Sequence, residues 1–445
     1  MGPITIAKPH VRAASVAPDE GASLTSGAPA LPWWLVLLFA TACALSVANV
    51  YFAHPVLETM ARTFAIEPGS IGIVVTVAQI GYALGLILIV PLGDLIDPRR
   101  LIAGQGFLSA AALTIVGMAP NAVVLLAGMF AVGLLAVVVQ VLVAYAATLA
   151  APAERGRVVG TVTSGVVIGI LLARLVSGVL ADLGGWRAVY FTSAGLTAVM
   201  AGLLFYALPR RSEKGTAASY PELLRSIITL FREEPVLLIR GVLALLIFAA
   251  VNVLWAPLAL PLSAPPFSFS HTAIGMVGLA GVAGALGAGR AGRLADRGHG
   301  QRTTGLSLGL LLIAWLPLAS LRTTAFLGTS IWALIFGVII LDFAIQAVHV
   351  TSQSMLFAVR PQARSRLVGA YMAFYSIGSG GGAIAATSVY AHAGWIGVCA
   401  LGGAISGFAL IFWTATRRLV DESLSRVPGE AKMAAAKGNA AKKKG

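Results

Sequence analysis

Two charged residues stand deep inside otherwise apolar stretches of this chain: Arg174, 17 residues beyond Arg157, and Asp342, 18 residues before Arg360. At 1.5 Å per helical residue these separations amount to roughly 25 and 27 Å, so both side chains reach a comparable depth. An ionisable group in hydrocarbon costs several kcal/mol unless it is paired or hydrated, which makes each a functional candidate. Paired across a cavity, they could exchange a proton: protonating Asp342 would release Arg174, and an anionic or hydrogen-bonding solute could compete for either. Asp342, Gln346, His349 and Gln353 follow at i, i+4, i+7 and i+11, one face of a helix. An unperturbed histidine titrates near neutrality, which makes His349 a proton-relay candidate on that face. A permanent structural ion pair is the alternative for Arg174 and Asp342.

The elements that position these residues follow from composition. Of 445 residues 58% are hydrophobic and 11% charged, with 50 glycines and a mean hydropathy of +0.89, far from the ~25% charge of soluble chains. Apolar runs of about 20 residues, each able to cross ~30 Å of hydrocarbon, recur along the chain, and they are continuous rather than alternating, so the spans are helices and not barrel strands. The segments are 33–54, 70–92, 101–119, 121–149, 157–181, 187–208, 237–262, 272–291, 304–321, 325–358, 367–390 and 395–416, twelve in all. Twenty-seven of the 31 lysines and arginines fall on one side of this arrangement, only Arg62, Arg187 and Arg322 on the other. The positive-inside rule therefore places both termini in the cytoplasm of a multi-pass inner-membrane protein. The first thirty residues hold no run of signal-peptide length, and Trp33 begins an uncleaved first span. The net charge of +14 is topology and attraction to anionic lipid, not a nucleic-acid surface. Cys43 and Cys399 sit in apolar runs as small hydrophobes, with no disulfide, metal or cofactor framework.

The halves repeat. Asn49 and Asn252, and Ile71-Gly72 and Ile274-Gly275, recur at an offset of 203; Arg155-x-Arg157-x-x-Gly160 and Arg364-x-Arg366-x-x-Gly369, and Gly185-Trp186 and Gly394-Trp395, recur at 209. Internal duplication is a transporter pattern in which two bundles rock about a site at mid-membrane. The expected organisation is a disordered cytoplasmic N-terminus (1–32), a six-helix bundle (33–208), a cytoplasmic linker (209–236), a second six-helix bundle (237–416) and a disordered basic tail (417–445). Asn49, Tyr51, Gln79, Tyr82, Gln140, Tyr145, Asn252, Trp255, Gln346, Tyr371 and Tyr375 are candidates to line a cavity of aromatic walls with few polar anchors; interhelical packing is the alternative for each. His54 and Glu58 read as solvated surface at the outer mouth. The run Gly378-Ser-Gly380-Gly381-Gly382, without a preceding strand or a Lys-Ser/Thr, reads as helix packing rather than a phosphate cradle, as do Gly81/Gly85 and Gly165/Gly169.

Between spans 2 and 3 stands Pro91-Leu-Gly93-Asp94-Leu-Ile-Asp97-Pro-Arg99-Arg100, and between spans 8 and 9 Gly292-Arg293-Leu-Ala-Asp296-Arg297-Gly298. These resemble the paired signature loops of the major facilitator superfamily. In the first copy Val90 and Asp97 replace two glycines. Span 5 carries Gly160, Gly169, Ala173, Arg174, Ser177 and Gly178 at the spacing of the superfamily's antiporter motif, with Ala-Arg where Gly-Pro is usual. Asn49-x-Tyr51-x-x-x-Pro55 followed by Gln79-x-Gly81-Tyr82-x-x-Gly85 looks like a bacterial branch of drug or sugar efflux permeases. The resemblance implies a monomeric, all-helical fold of two pseudo-symmetric six-helix bundles and a cytoplasmic latch formed by Asp94, Arg99, Arg100, Asp296 and Arg297. The expected function is proton-coupled export of a small amphipathic or sugar-like compound by alternating access. Uptake or uniport of an organic anion on Arg174, and a non-transporting receptor or scaffold on the same fold, are the alternatives. No catalytic constellation appears, so no enzyme is expected.

Overall fold

The computed structural model describes residues 31–151, 154–209, 219–321, 327–359 and 364–425. These form fifteen helices in chain order: α1 Trp33–Tyr51, α2 Leu57–Phe64, α3 Ile73–Leu88, α4 Pro98–Met118, α5 Ala122–Ala136, α6 Val138–Leu149, α7 Arg155–Ala207, α8 Tyr220–Glu233, α9 Pro235–Trp255, α10 Ala259–Ser263, α11 His271–Val277, α12 Val282–Leu294, α13 Gly300–Leu318, α14 Leu327–Val359 and α15 Arg364–Ser425. Among the described residues eight helical stretches are long and apolar enough to cross a membrane. Two of them are double-length for a physical reason. A straight helix of 53 residues would extend ~80 Å, but α7 turns at Gly185 (φ 76°) and α15 at Gly394 (φ 60°), a backbone region in which a Cβ is strained. Each glycine precedes a tryptophan whose indole N–H is anchored: Trp186 donates to Thr63 Oγ1 (3.1 Å) and Trp395 to the Leu318 carbonyl (2.8 Å). The repeated Gly-Trp pairs are thus two equivalent corners.

Packing repeats the same symmetry. In lipid no hydrophobic force drives helix against helix, so close backbone approach and hydrogen bonds must do so. Gly165 and Gly169 of α7 lie against the α1 backbone at Ala40 and Ala44; Gly378 and Gly382 of α15 lie against the α9 backbone at Leu245 and Ala249. A Cβ at any of the four would collide with backbone. Most apolar clusters stay within one half: residues 35–208 build one from Leu35, Ile102 and Leu142, and α8–α15 build others around Trp315 and Tyr371, while a further cluster of the first half takes in Ala256 and Ala383 across the seam. Where the two groups meet, α3 runs against α15 and α7 against α11.

Arg240, near the start of the span 237–262, is completely buried inside α9; its guanidinium donates to Gln301 Oε1 (2.8 Å) and Thr304 Oγ1 (3.4 Å). The run Val-Leu-Leu-Ile before it and Gly-Val-Leu-Ala after it make it part of the span. Within the linker, α8 is an ordered helix with a capping box at Ser219 and Glu222, and Tyr220 donates to the Leu88 carbonyl at the end of α3 (2.8 Å). The helix α15 also continues past 417 to Ser425, so the start of the tail is ordered. The N-terminal segment to residue 30 and the tail beyond 425 lie outside the described residues.

Candidate substrate cavity

Besides the Tyr220–Leu88 bond, the bonds to backbone that join the two helix groups gather at the end remote from the basic loops. Gly72 N–H donates to Thr387 Oγ1 (3.2 Å), which donates to the Gly69 carbonyl (3.1 Å), and Thr76 Oγ1 donates to the Gly380 carbonyl (2.7 Å). On the opposite seam the Asp182 carboxylate accepts the N–H groups of His271 (3.1 Å) and Thr272 (2.8 Å) and the His271 ring Nδ1–H (2.7 Å). With Nδ1 protonated, His271 Nε2 accepts from Thr59 Oγ1 (2.7 Å). Asp182, just beyond span 5, thus caps the start of α11, as a carboxylate at a helix N-terminus should. Burial opposes its ionisation, but the hydrogen bonds from Thr272, His271 and Ser270 prevail and hold its carboxyl well below the usual carboxylate range. Sequence reasoning missed this clamp, since nothing in the chain text ties residue 182 to residue 271.

Inward of this seam the predicted residues meet. Arg174 is 4% exposed, and its Cζ sits 3.7 Å from the centroid of the Trp255 ring and 5.5 Å from that of Tyr51. Its backbone passes Gly275 and its side chain Gly278, while the Asp342 carboxylate lies against Gly281. Both deep charges therefore face one glycine-lined turn, Gly278–Gly281. No salt bridge joins them, contrary to the ion pair read from depth alone. Trp255 lies beside both: its ring face holds the guanidinium, and its buried indole N–H is directed at the Asp342 carboxylate. The cation–π contact is worth ~2 kcal/mol when desolvated.

An aromatic cluster continues from these two residues. Tyr51 and Tyr375 share a hydrogen bond of 2.5 Å between hydroxyls; Tyr82 stands edge-on to Tyr375 and accepts from Gln140 Nε2 (3.4 Å). Phe248 packs against Tyr375 at 4.1 Å and against His349 at 5.2 Å between centroids. His349 Nδ1 hydrogen-bonds the Tyr371 hydroxyl (3.1 Å). Gln346 lies partly buried on the same helix as Asp342 and His349. Gln79 is buried at the α3–α15 seam with its Oε1 unpartnered.

Other candidates are turned elsewhere. Asn49 binds within its own helix group, accepting from Ser193 Oγ (2.5 Å) and donating to Thr197 Oγ1 (3.4 Å). Tyr145 donates to the Pro209 carbonyl (2.8 Å) at a helix end. Asn252 donates to the Phe248 carbonyl (3.2 Å), and its Oδ1 faces His54 Nε2 (3.4 Å). His54 is accordingly buried and stacked on Tyr51, not solvated surface, whereas Glu58 pairs with Arg62. In the signature loops, Arg99 lies over the Phe205 ring at 4.4 Å and Arg100 and Arg297 are exposed; the side chains of Asp94 and Asp296 lie outside the described residues. Asp97, which replaces a glycine of the first loop, caps α4 by accepting from the Arg99 N–H (3.1 Å). Gly298 adopts φ 80° in the second loop.

Two helix groups in contact at one end, with charged and aromatic side chains between them, have the architecture of a membrane transporter. The chain belongs to the Major Facilitator Superfamily, whose model matches residues 37–324 and 243–443. It is 44% identical over 379 residues to the uncharacterized transporter YgaY of Escherichia coli O157:H7, covering 85% of this chain and 94% of that protein. Among solved structures it resembles a bacterial homologue of the human lysosomal transporter Spinster in an inward-facing, unoccupied conformation (TM-score 0.70, 15% identity, 88% of this chain and 98% of that one). It also resembles a D-xylose–proton symporter (TM-score 0.68, 15% identity, 86% and 97%). At these identities the two structures share the fold alone.

Proposed function

We propose that this chain exports a small amphipathic or sugar-like compound in exchange for protons, with Asp342 as the proton-carrying group. The observation behind this reading is that Asp342, a deep acid, sits in the same interbundle cleft as the unpaired Arg174. In exchange, proton and solute compete for one group, so each can leave only when the other has bound. The bundles are bonded at the end opposite the basic loops, so with the termini cytoplasmic the conformation is inward-facing. Asp94, Arg99, Arg100, Asp296 and Arg297 would re-form the cytoplasmic latch when the cavity opens outward, through charge-assisted hydrogen bonds between loop and helix end. His349, bonded to Tyr371, would relay protons along α14. The test is growth of a transporter-depleted bacterium expressing the chain across dyes, antibiotics and sugar analogues, beside Asp342→Asn at matched membrane level. Protection lost in the variant is expected; protection undiminished in Asp342→Asn overturns the assignment.

The second reading, uptake or uniport of an organic anion, is favoured by one observation, a buried guanidinium without a hydrogen-bond acceptor. It expects accumulation of an organic acid that is indifferent to the pH gradient and abolished by Arg174→Gln.

A further inference from the structure

Two opposite charges left apart in a cleft of low polarity present an unsatisfied arrangement. Held apart without a salt bridge, they keep only part of the attraction that would offset their desolvation, a cost of several kcal/mol per ion. Arg174 makes no hydrogen bond or ion pair with any described residue, and its Nε is buried without a partner. Trp255 holds the guanidinium by its ring face, which leaves the edge N–H donors unengaged. Asp342 is likewise without an ion-pair partner.

The wall beside both is bare backbone. A Cβ at Gly278 would come 2.9 Å from Arg174 Cδ, and one at Gly281 would come 2.5 Å from Asp342 Oδ2. Three residues of 3₁₀ helix separate the two glycines, about 6 Å at ~2 Å per residue. Gly278 meets the stem of Arg174 and Gly281 the carboxylate of Asp342, so both side chains border one short stretch of backbone, as recognition of the two charges of one small head group requires. Tyr51, Tyr82, Phe248 and Tyr375 supply an aromatic wall next to it.

From this geometry we infer that the cavity's substrate is a small zwitterion with an apolar or aromatic side chain, its carboxylate on Arg174 and its ammonium on Asp342. The inference rests on the exchange reading above and sharpens it: the ammonium and the transported proton compete for the same carboxylate. Outward movement of a neutral zwitterion against inward movement of one proton carries one positive charge inward per cycle. The groups facing Asp342 and Arg174 are Tyr51 and His54 beyond α1, Trp255 of α9 and Tyr375 of α15, with His349 further along α14. None of them is an acid that could hold the ammonium in place of Asp342.

The experiment is calorimetric binding to the purified full-length protein in lipid nanodiscs at pH 7, with L-phenylalanine, L-phenylalaninamide and N-acetyl-L-phenylalanine as probes. The zwitterion should bind at least tenfold more tightly than either blocked form. Arg174→Gln should erase the preference over the amide while keeping that over the N-acetyl acid, and Asp342→Asn the reverse. Melting temperatures of the ligand-free variants, and Arg174→Lys and Asp342→Glu as charge-retaining forms, separate misfolding from lost recognition. Equal binding of the N-acetyl acid, equal binding of the amide, or no binding of any probe overturns the inference. Asp342-dependent export of a dye without zwitterion binding leaves the exchange reading intact and removes this one; zwitterion binding without proton dependence does the opposite.

Discussion

At the scale of single residues, the buried cations matter most because hydrocarbon offers them nothing. Arg240 makes the point for stability: wholly enclosed, it relies on Gln301 and Thr304, and Gln301 also accepts from Trp413 Nε1 (2.9 Å) and donates to the Arg417 carbonyl (3.2 Å). Arg240→Ala strands this network and is expected to cost about 1–3 kcal/mol, read as a lower melting temperature in detergent; an unchanged temperature would refute the network's role. Gly281 makes the point for function. Because its Cβ would strike the Asp342 carboxylate, Gly281→Ala should leave the fold and membrane level unaltered yet reduce proton-linked flux several-fold, whereas Gly309→Ala, where a Cβ meets open space, should leave flux unchanged. Equal flux in both variants would separate Gly281 from Asp342.

At the scale of elements, the four glycines that bring α7 onto α1 and α15 onto α9 set how closely helices approach. Overpacking such contacts costs about 1–3 kcal/mol, so Gly169→Val and Gly382→Val should each lower thermal stability by that order and do so additively, since each lies in its own helix group. Strong non-additivity, measured by a double-mutant cycle, would mean that the groups do not behave as separate packing units. The broken span α11–α12 is the other decisive element. Its 3₁₀ turn at Gly278–Gly281 exposes glycine backbone to Arg174 and Asp342, and a regular helix of larger residues there would occupy the space between them.

For the whole molecule, the relevant quantity is the balance between two closures. The clamp of Asp182 on His271, Thr272 and, through the ring, Thr59 holds one end shut with charge-assisted bonds of about 1.5–3 kcal/mol each. Asp182→Asn should shift the population toward opening at that end, seen as longer distances between spin labels at Glu67 and His392, both exposed near it. An unchanged distance distribution would show that the α3–α15 seam alone suffices. The pH dependence has a definite sign. The clamped carboxyl is held below its ordinary range, so its contribution is present at neutral pH and above that range, and is lost only as pH falls through the depressed value. Closure through Asp182 should therefore persist across the range in which free carboxylates titrate; opening at pH 5 would contradict it.

Much of this was determined by the sequence alone. Hydropathy and the scarcity of charge require membrane helices, because backbone groups in lipid can be satisfied only within the helix. The repeated Gly-Trp corners, the small-residue stripes and the family signature are local text, and the depth of Arg174 and Asp342 follows from counting residues at a fixed rise. What depth cannot supply is azimuth and partner. Whether two side chains at one level touch depends on which way each helix is rotated and what else they meet, and here Arg174 lies on the face of Trp255. For the same reason Asn49 and Tyr145, polar at promising depths, turned out to serve their own bundle, while His54, read as surface by proximity to a span end, is drawn inside by Asn252, 198 residues away in the chain. The clamp between Asp182 and His271 was likewise decided only by tertiary structure, because a hydrogen bond across the seam depends on where two bundles dock, and no spacing along one chain encodes that contact.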